Sequence, residues 1–292
     1  MSLLSSSPIS LHKTPTITDA EFRNLRDFIY QRTGIHVSER RKYLLETRLG
    51  TRLKALELRN FSEYFQYLTA SPHRTKELEL LFEKITTNET SFFRDIRQLD
   101  VFKTYALKPV LDAQIKSGNK ELNIWCAGCS SGEEAYTLSI MLYEVLKMSI
   151  IGWKISIFAN DLSAAMIAKA KRGLYSEYSL RNTPKEIIDK YFIPEPGGFK
   201  VHPKVQKFVT FQMLNLNDTL AIKRIPRSHF VFCRNVIIYF DDVMKRKVVN
   251  QFYDNLLPKG YLIIGHSESL HKYARFFIPQ ANPGGIIYQK AK

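Results

Sequence analysis

The feature that most constrains the fold is an alternation that begins after Asn119. Short apolar runs at 122–126, 155–159, 230–233, 261–264 and 286–288 are separated by amphipathic stretches at 133–147, 163–172 and 243–257. That order of elements builds an α/β domain with a parallel sheet and helices on its faces. No strand is needed before residue 120. Phe22, Leu25, Phe28 and Ile29 recur at helical spacing behind a Thr18 or Asp19 cap, Gly34 ends that helix, and helical periods continue over 38–58, 61–68 and 74–85. The expected organisation is a flexible lead-in at 1–18, a helical domain at 19–85, a linker and helix at 86–119, and the α/β domain at 120–292. Pro194, Pro196, Gly197, Gly198 and Pro203 lie among short β-like pieces at 191–211, which predicts a small β-rich insertion there.

Composition narrows the function. The 292 residues suit about two domains at roughly 150 residues each, and 45% apolar content supplies a core. Forty-three Lys and Arg against 28 Asp and Glu give a net charge of +15, which favours an acidic partner. Three cysteines are too few for a disulfide framework and fit a reducing compartment, so a cytoplasmic protein is expected. No apolar run approaches the roughly 18 residues of a membrane span, and no secretory signal opens the chain.

Chemistry concentrates at strand ends. The first strand runs into a small-residue loop, Cys126 to Gly132, with Glu133 and Glu134 opening the next helix. In an open α/β sheet, ligands sit at the carboxyl ends of strands, where glycines let backbone approach and helix N–H groups are free. No Lys follows Gly132, and the two glutamates repel a triphosphate or a pyrophosphate, so a ligand with a cationic part fits better. Asp161, just past the second strand, suits ribose hydroxyls; ribose with a cation suggests S-adenosylmethionine. Cys126 and Cys129 form a C-x-x-C with only Cys233 besides, which cannot make a four-thiolate zinc site, and no metal is assigned.

Together these segments resemble the chemotaxis receptor glutamate methyltransferases. The motifs are T-N-x-T-x-F-F-R at 87–94, W-C-A-G-C-S-S-G-E-E at 125–134, Asp161, Asn215 with Leu216, C-R-N-V-x-I-Y-F at 233–240 and G-H-S-E-S-L at 265–270. The resemblance implies a Rossmann-like methyltransferase sheet with an inserted β-subdomain behind an all-helical domain. By it, Asn88, Thr90, Arg94, Glu134, Asp161, Asn215, Leu216, Arg234 and Asn235 bind S-adenosylmethionine, which leaves as S-adenosylhomocysteine, and Tyr239 lies beside the transferred methyl group. Arg94 is either a catalytic positioning group with Tyr239 or a clamp for the cofactor carboxylate alone. The β-subdomain clamps a receptor C-terminal peptide in some members and not in others, and 191–211 fits either. Two departures stand out: His229 where an acid is common, and Asn160 before Asp161 where Thr or Ser is usual.

The implied substrate is a glutamate side chain on a methyl-accepting receptor helix. A carboxylate with a pKa near 4.3 is ionised at neutral pH, so the protein must align groups rather than remove a proton. The alternatives are a nucleic-acid methyltransferase, disfavoured because Asn235 is not followed by a Pro-Pro-aromatic target grip, and a binding module without turnover, disfavoured by the presence of Arg94 and Tyr239. Arg41, Arg48, Arg52 and Arg59 fall within about 40° of one another on an ideal helix, beside an apolar face of Leu45, Leu49, Leu53 and Leu56. That stripe is expected to steer an acidic receptor helix. A monomer with no nucleic-acid partner and no membrane insertion is the remaining expectation.

Overall fold

The computed structural model describes residues 15–273 and 276–291, so most of the expected lead-in, 1–14, lies outside the described residues. Two compact units emerge: one holds Val37–Ile85 with the chain up to Phe28, the other Ile29–His36 with Thr86–Lys292. Residues 29–36, the end of the first helix and the turn after it, group with the second unit rather than with the helices around them in sequence.

Helix α1 spans Asp19–Thr33, and within the first unit follow a 3-10 turn, Glu39–Arg41, and helices α2 (Lys42–Ala55), α3 (Phe61–Ala70) and α4 (Arg74–Ile85). Thr18 and Glu21 cap α1 reciprocally: Thr18 N–H donates to Glu21 Oε2 at 2.9 Å and Glu21 N–H to Thr18 Oγ1 at 3.3 Å. The lead-in is shorter than expected, since Ile17 is fully buried and its N–H donates to Glu46 Oε2 at 3.0 Å. Phe22, Leu25, Leu45, Leu49, Leu53, Phe61 and Leu81 fill the core, as their spacing requires.

The second unit opens with α5 (Ile96–Val101), a π turn (Phe102–Leu107) and α6 (Lys108–Lys116). Then come β1 (Glu121–Ala127), α7 (Glu133–Leu146), β2 (Lys154–Asp161), α8 (Ala164–Arg172), β3 (Leu174–Tyr175), α9 (Lys185–Tyr191), β4 (Phe192–Glu195), β5 (Gly198–Val201), α10 (Pro203–Gln206) and β6 (Val209–Met213). The chain closes with α11 (Thr219–Ile222), β7 (Ser228–Cys233), α12 (Asp242–Asn255), β8 (Leu256–Ile264), β9 (Phe277–Asn282) and β10 (Gly285–Lys290). The main sheet has seven strands in the order β6-β2-β1-β7-β8-β10-β9, parallel from β6 to β8 and antiparallel beyond.

Strand periodicity decides which face each residue serves. Ile124, Cys126, Phe230, Phe232, Tyr261 and Ile263 join one core with α7, whereas Trp125, Ala127, Val231, Cys233, Leu262 and Ile264 join the other with α12. Phe102 packs edge-on against Phe230 and Phe232, and Trp125 against Phe252. The stretch Glu133–Gly152 is 20 residues long and apolar enough to cross a membrane by length and composition, contrary to the sequence reading. In this fold Ala135, Leu138, Ile140 and Leu142 of α7 are core residues instead.

The β-rich insertion is drawn differently from 191–211. A three-stranded antiparallel sheet, β3-β5-β4, begins at Leu174 and ends at Val201, while β6 is an edge strand of the main sheet paired in parallel with β2. His229 and Asn160, the two departures from the family pattern, both have structural work. His229 is buried with its Nδ1 accepting the Asn123 N–H at 3.1 Å, and burial lowers its pKa. Asn160 accepts the Trp125 indole N–H at 2.6 Å and donates to the Leu214 carbonyl at 3.1 Å, tying β2 to β1 and to the segment after β6.

Candidate functional site

At the carboxyl ends of the parallel strands, three loops are stitched together. Gly128 N–H and Cys129 N–H both donate to the Asn160 carbonyl, at 2.9 and 2.8 Å. A Cβ on Gly128 would stand 2.5 Å from Val236 Cγ2, so only glycine lets the β1 and β7 loops approach this closely. Asp161 Oδ2 accepts Ser130 N–H at 2.8 Å and Oδ1 accepts Ser163 N–H at 2.9 Å. Burial raises the Asp161 pKa and these backbone bonds oppose the shift. An ionised carboxylate has about four acceptor positions, so each oxygen keeps capacity for a ligand hydroxyl.

The segment from Thr86 to Asp95 lies on the same loops. Asn88 donates to Thr86 Oγ1 at 3.2 Å, and its carbonyl accepts the Ser130 hydroxyl at 3.2 Å. Phe92 is fully buried, edge-on to Tyr175 and Phe192, and Thr90 is half-buried beside it in sequence. Arg94 donates to the Glu89 carbonyl at 2.8 Å and acts electrostatically on Glu134.

Arg234 is the hub. Its side chain is 5% exposed and its guanidinium donates to Gln98 Oε1 at 2.7 Å, Glu134 Oε2 at 3.1 Å and the Arg94 carbonyl at 2.7 Å. Those bonds hold the fork from three sides and fix the Glu134 carboxylate and the Arg94 main chain beside it. Burial raises the Glu134 pKa, and the charges of Arg234 and Arg94 oppose that rise. A cationic ligand beside Glu134 and Asp161 would further offset their desolvation.

Asn235 adopts a left-handed backbone with φ 59°, and its N–H donates to Glu268 Oε2 at 2.9 Å. The 3-10 turn Ile237–Tyr239 follows; Tyr239 is half-buried and its carbonyl accepts the His36 N–H at 2.8 Å. Asn215 follows Leu214, whose N–H donates to the Asp161 carbonyl at 3.0 Å, but its amide is turned to the Arg32 carbonyl at 2.6 Å. Leu216, next along, is 6% exposed, its side chain packed in the core that α12 shares. Four of the seven described non-glycine residues with positive φ, Phe93, Asp95, Ser130 and Asn235, stand on these loops. The thiols of Cys126, Cys129 and Cys233 are free and buried, with burial pushing each pKa up. Cys126 and Cys129 pack in one core of the sheet and Cys233 in the other.

The arginine stripe does not form as expected. Helix α2 ends at Ala55, Arg41 belongs to the preceding 3-10 turn, and Arg59 lies before α3, paired with Glu63 at 3.0 Å. Arg52 makes a two-pronged ion pair with Glu77, at 2.9 and 2.7 Å, and Tyr64 donates to the same carboxylate at 2.8 Å. Arg48 donates to the Ile85 carbonyl at 2.9 Å. Two of the four guanidinium groups therefore hold the helices together.

Sequence reasoning missed Gln98, Ser130 and Glu268. Glu268 stands inside the Gly265–Leu270 motif, and Ser130 inside the β1 loop, so proximity could have flagged both. Gln98 carries no such signal, since its role depends on the distant Arg234 and Ile264.

Comparison with known proteins agrees with this geometry. Residues 88–283 match the CheR methyltransferase SAM-binding domain and residues 20–86 match the CheR methyltransferase all-alpha domain. A chemotaxis protein methyltransferase of Borreliella burgdorferi is 36% identical over 90% of this chain and 93% of its own length. Chemotaxis protein methyltransferase 2 of Vibrio cholerae is 35% identical, covering 89% of each chain. The chemotaxis protein methyltransferase of Escherichia coli K12 is 32% identical over 94% of this chain and 92% of its own. With both domains matched in order and relatives alike nearly end to end, this chain belongs to the CheR methyltransferase family, enzymes that use S-adenosylmethionine.

Proposed function

We propose that this protein transfers the methyl group of S-adenosylmethionine to glutamate carboxylates on the cytoplasmic helices of methyl-accepting chemotaxis receptors, working in the cytoplasm as a monomer. The observation that carries the reading is the pairing of two desolvated carboxylates, Asp161 and Glu134, with Arg94 and Tyr239 on the loops at one end of the sheet. Bound there, the cofactor supplies a methyl group activated by a sulfonium charge. Asp161 would accept its ribose hydroxyls, and Glu134, held by Arg234, would face its cationic part. Asn88, Thr90, Asn215, the Leu216 backbone and Asn235 would complete the walls.

Methyl transfer to a carboxylate cancels a positive and a negative charge, so a site poor in water favours it. The attacking carboxylate is already ionised, and no general base is required. Arg94 and Tyr239 then serve alignment, holding oxygen, methyl carbon and sulfur in line at roughly 3 to 3.5 Å. The test supplies methyl-labelled cofactor and a helical receptor fragment bearing glutamates, then treats the product with alkali. Methanol release marks an ester and supports the proposal; label retained on amines or bases would overturn it.

A further inference from the structure

A carboxylate that the reaction itself does not need sits behind the Asn235 turn. Glu268 is 9% exposed, and its partners are all main-chain N–H groups: Gly265 at 2.7 Å and Asn235 at 2.9 Å on Oε2, and Ile238 at 3.2 Å on Oε1. Three charge-assisted bonds from one side chain thus bind both ends of the segment between Asn235 and Ile238. That segment needs holding, because Asn235 lies at φ 59°, in the left-handed region that only glycine enters freely and that Asn tolerates better than other side chains. Gly265 is part of the same device: a Cβ there would come within 2.8 Å of Glu268 Oε2 and 3.1 Å of the Asn235 nitrogen.

We infer that Glu268 is a positioning residue for methyl transfer, its two carboxylate oxygens separately fixing Asn235, on the cofactor side, and Ile238 with the adjoining Tyr239, on the methyl side. The role given to Tyr239 rests on the function proposed above. The two oxygens make the idea sharp, because they carry unequal loads. In Glu268→Gln the remaining carbonyl oxygen keeps the two-bond side, and the amide nitrogen, itself a donor, turns toward the Ile238 N–H and cannot accept it. Asn235 stays held while Ile238 is released.

The experiment compares the full-length parent with Glu268→Gln, Glu268→Ala and Gly265→Ala. Amide hydrogen exchange is read without cofactor, S-adenosylhomocysteine affinity by calorimetry, and turnover with the receptor fragment. Losing one such charge-assisted bond is worth about tenfold or more. Glu268→Gln should speed exchange at Ile238 by about tenfold, leave Asn235 exchange and S-adenosylhomocysteine affinity within about twofold, and lower kcat with the receptor KM unchanged. Glu268→Ala and Gly265→Ala, the latter with the charge intact, should loosen both ends and weaken both affinity and kcat. Uniform loss of thermal stability, with exchange at Ile238 and kcat both unmoved at 25 °C, would overturn the inference. Exchange and product affinity are read without a methyl acceptor, so a wrong acceptor would leave them standing while the alkali test failed.

Discussion

Replacing Arg52 with Ala tests whether this arginine braces the helical unit or recognises a partner. Glu77 is 4% exposed in its side chain and Arg52 is 17% exposed, so the pair lies out of water but not fully sealed. Removing one partner of a buried pair costs about 3 to 5 kcal/mol, chiefly by stranding the other charge, and the partial exposure of Arg52 points to about 3 kcal/mol. For a helical unit of this size each kcal/mol moves the midpoint by roughly 4 to 8 °C, giving a drop of roughly 12 to 24 °C. Calorimetry on the full chain, with amide exchange resolving α2, α3 and α4, measures it without assuming that the two units melt together. The triple variant Arg52→Met, Glu77→Leu and Tyr64→Phe should recover most of the loss, because an apolar set of similar size avoids the desolvation cost and leaves no buried Tyr64 hydroxyl without its acceptor. The reasoning fails if Arg52→Ala melts within about 2 °C of the parent while its KM for receptor rises and flattens with salt, the signature of an exposed steering charge.

Asp161→Asn should weaken S-adenosylhomocysteine binding about tenfold or more by calorimetry, since the ribose hydroxyls lose a charged acceptor worth about 1.5 to 3 kcal/mol. Tyr239→Phe should lower kcat without shifting the acidic limb of the pH–rate curve, which steady-state rates between pH 5 and 9 will show. His229 stays neutral in the fold because burial lowers its pKa, whereas the unfolded chain takes up a proton near pH 6.5. Stability should therefore fall as pH drops below about 6.5 and level off beneath the folded pKa, and His229→Asn should remove that part of the slope in denaturant titrations at several pH values.

What the sequence made legible was periodic. The alternation of short apolar runs and amphipathic stretches located β1, β2, β7, β8, β10 and the helices between them, because a strand buried on both faces must be apolar throughout. Edge strands escaped for the same reason. In β6 only Phe211 is buried, and in β9 Ile278 is exposed and followed by Pro279, so neither carries a continuous apolar signal. The insertion was drawn too late because its first strand is the two-residue Leu174–Tyr175. In the candidate site, the loops could be read from local residue type, but the partners could not. No local pattern shows that Arg234 is tied to Gln98, 136 residues earlier, and Arg52 looks like a surface charge until Glu77 is found 25 residues on.

The left-handed residues around the strand ends have a consequence for durability. Phe93 and Ser130 each hold a left-handed backbone that costs of order 1 to 3 kcal/mol, and Asp95 and Asn235, residue types that tolerate it better, hold the same conformation, while the strands beneath them are hydrogen-bonded neighbour to neighbour. Heat should accordingly silence this protein before it melts it: the loops relax first, in a local opening that leaves the strands intact and reverses on cooling. A change that relieves the strain, such as Ser130→Gly, would lengthen shelf life at the risk of blunting the tool, because it also removes the hydroxyl that ties this loop to the Asn88 carbonyl.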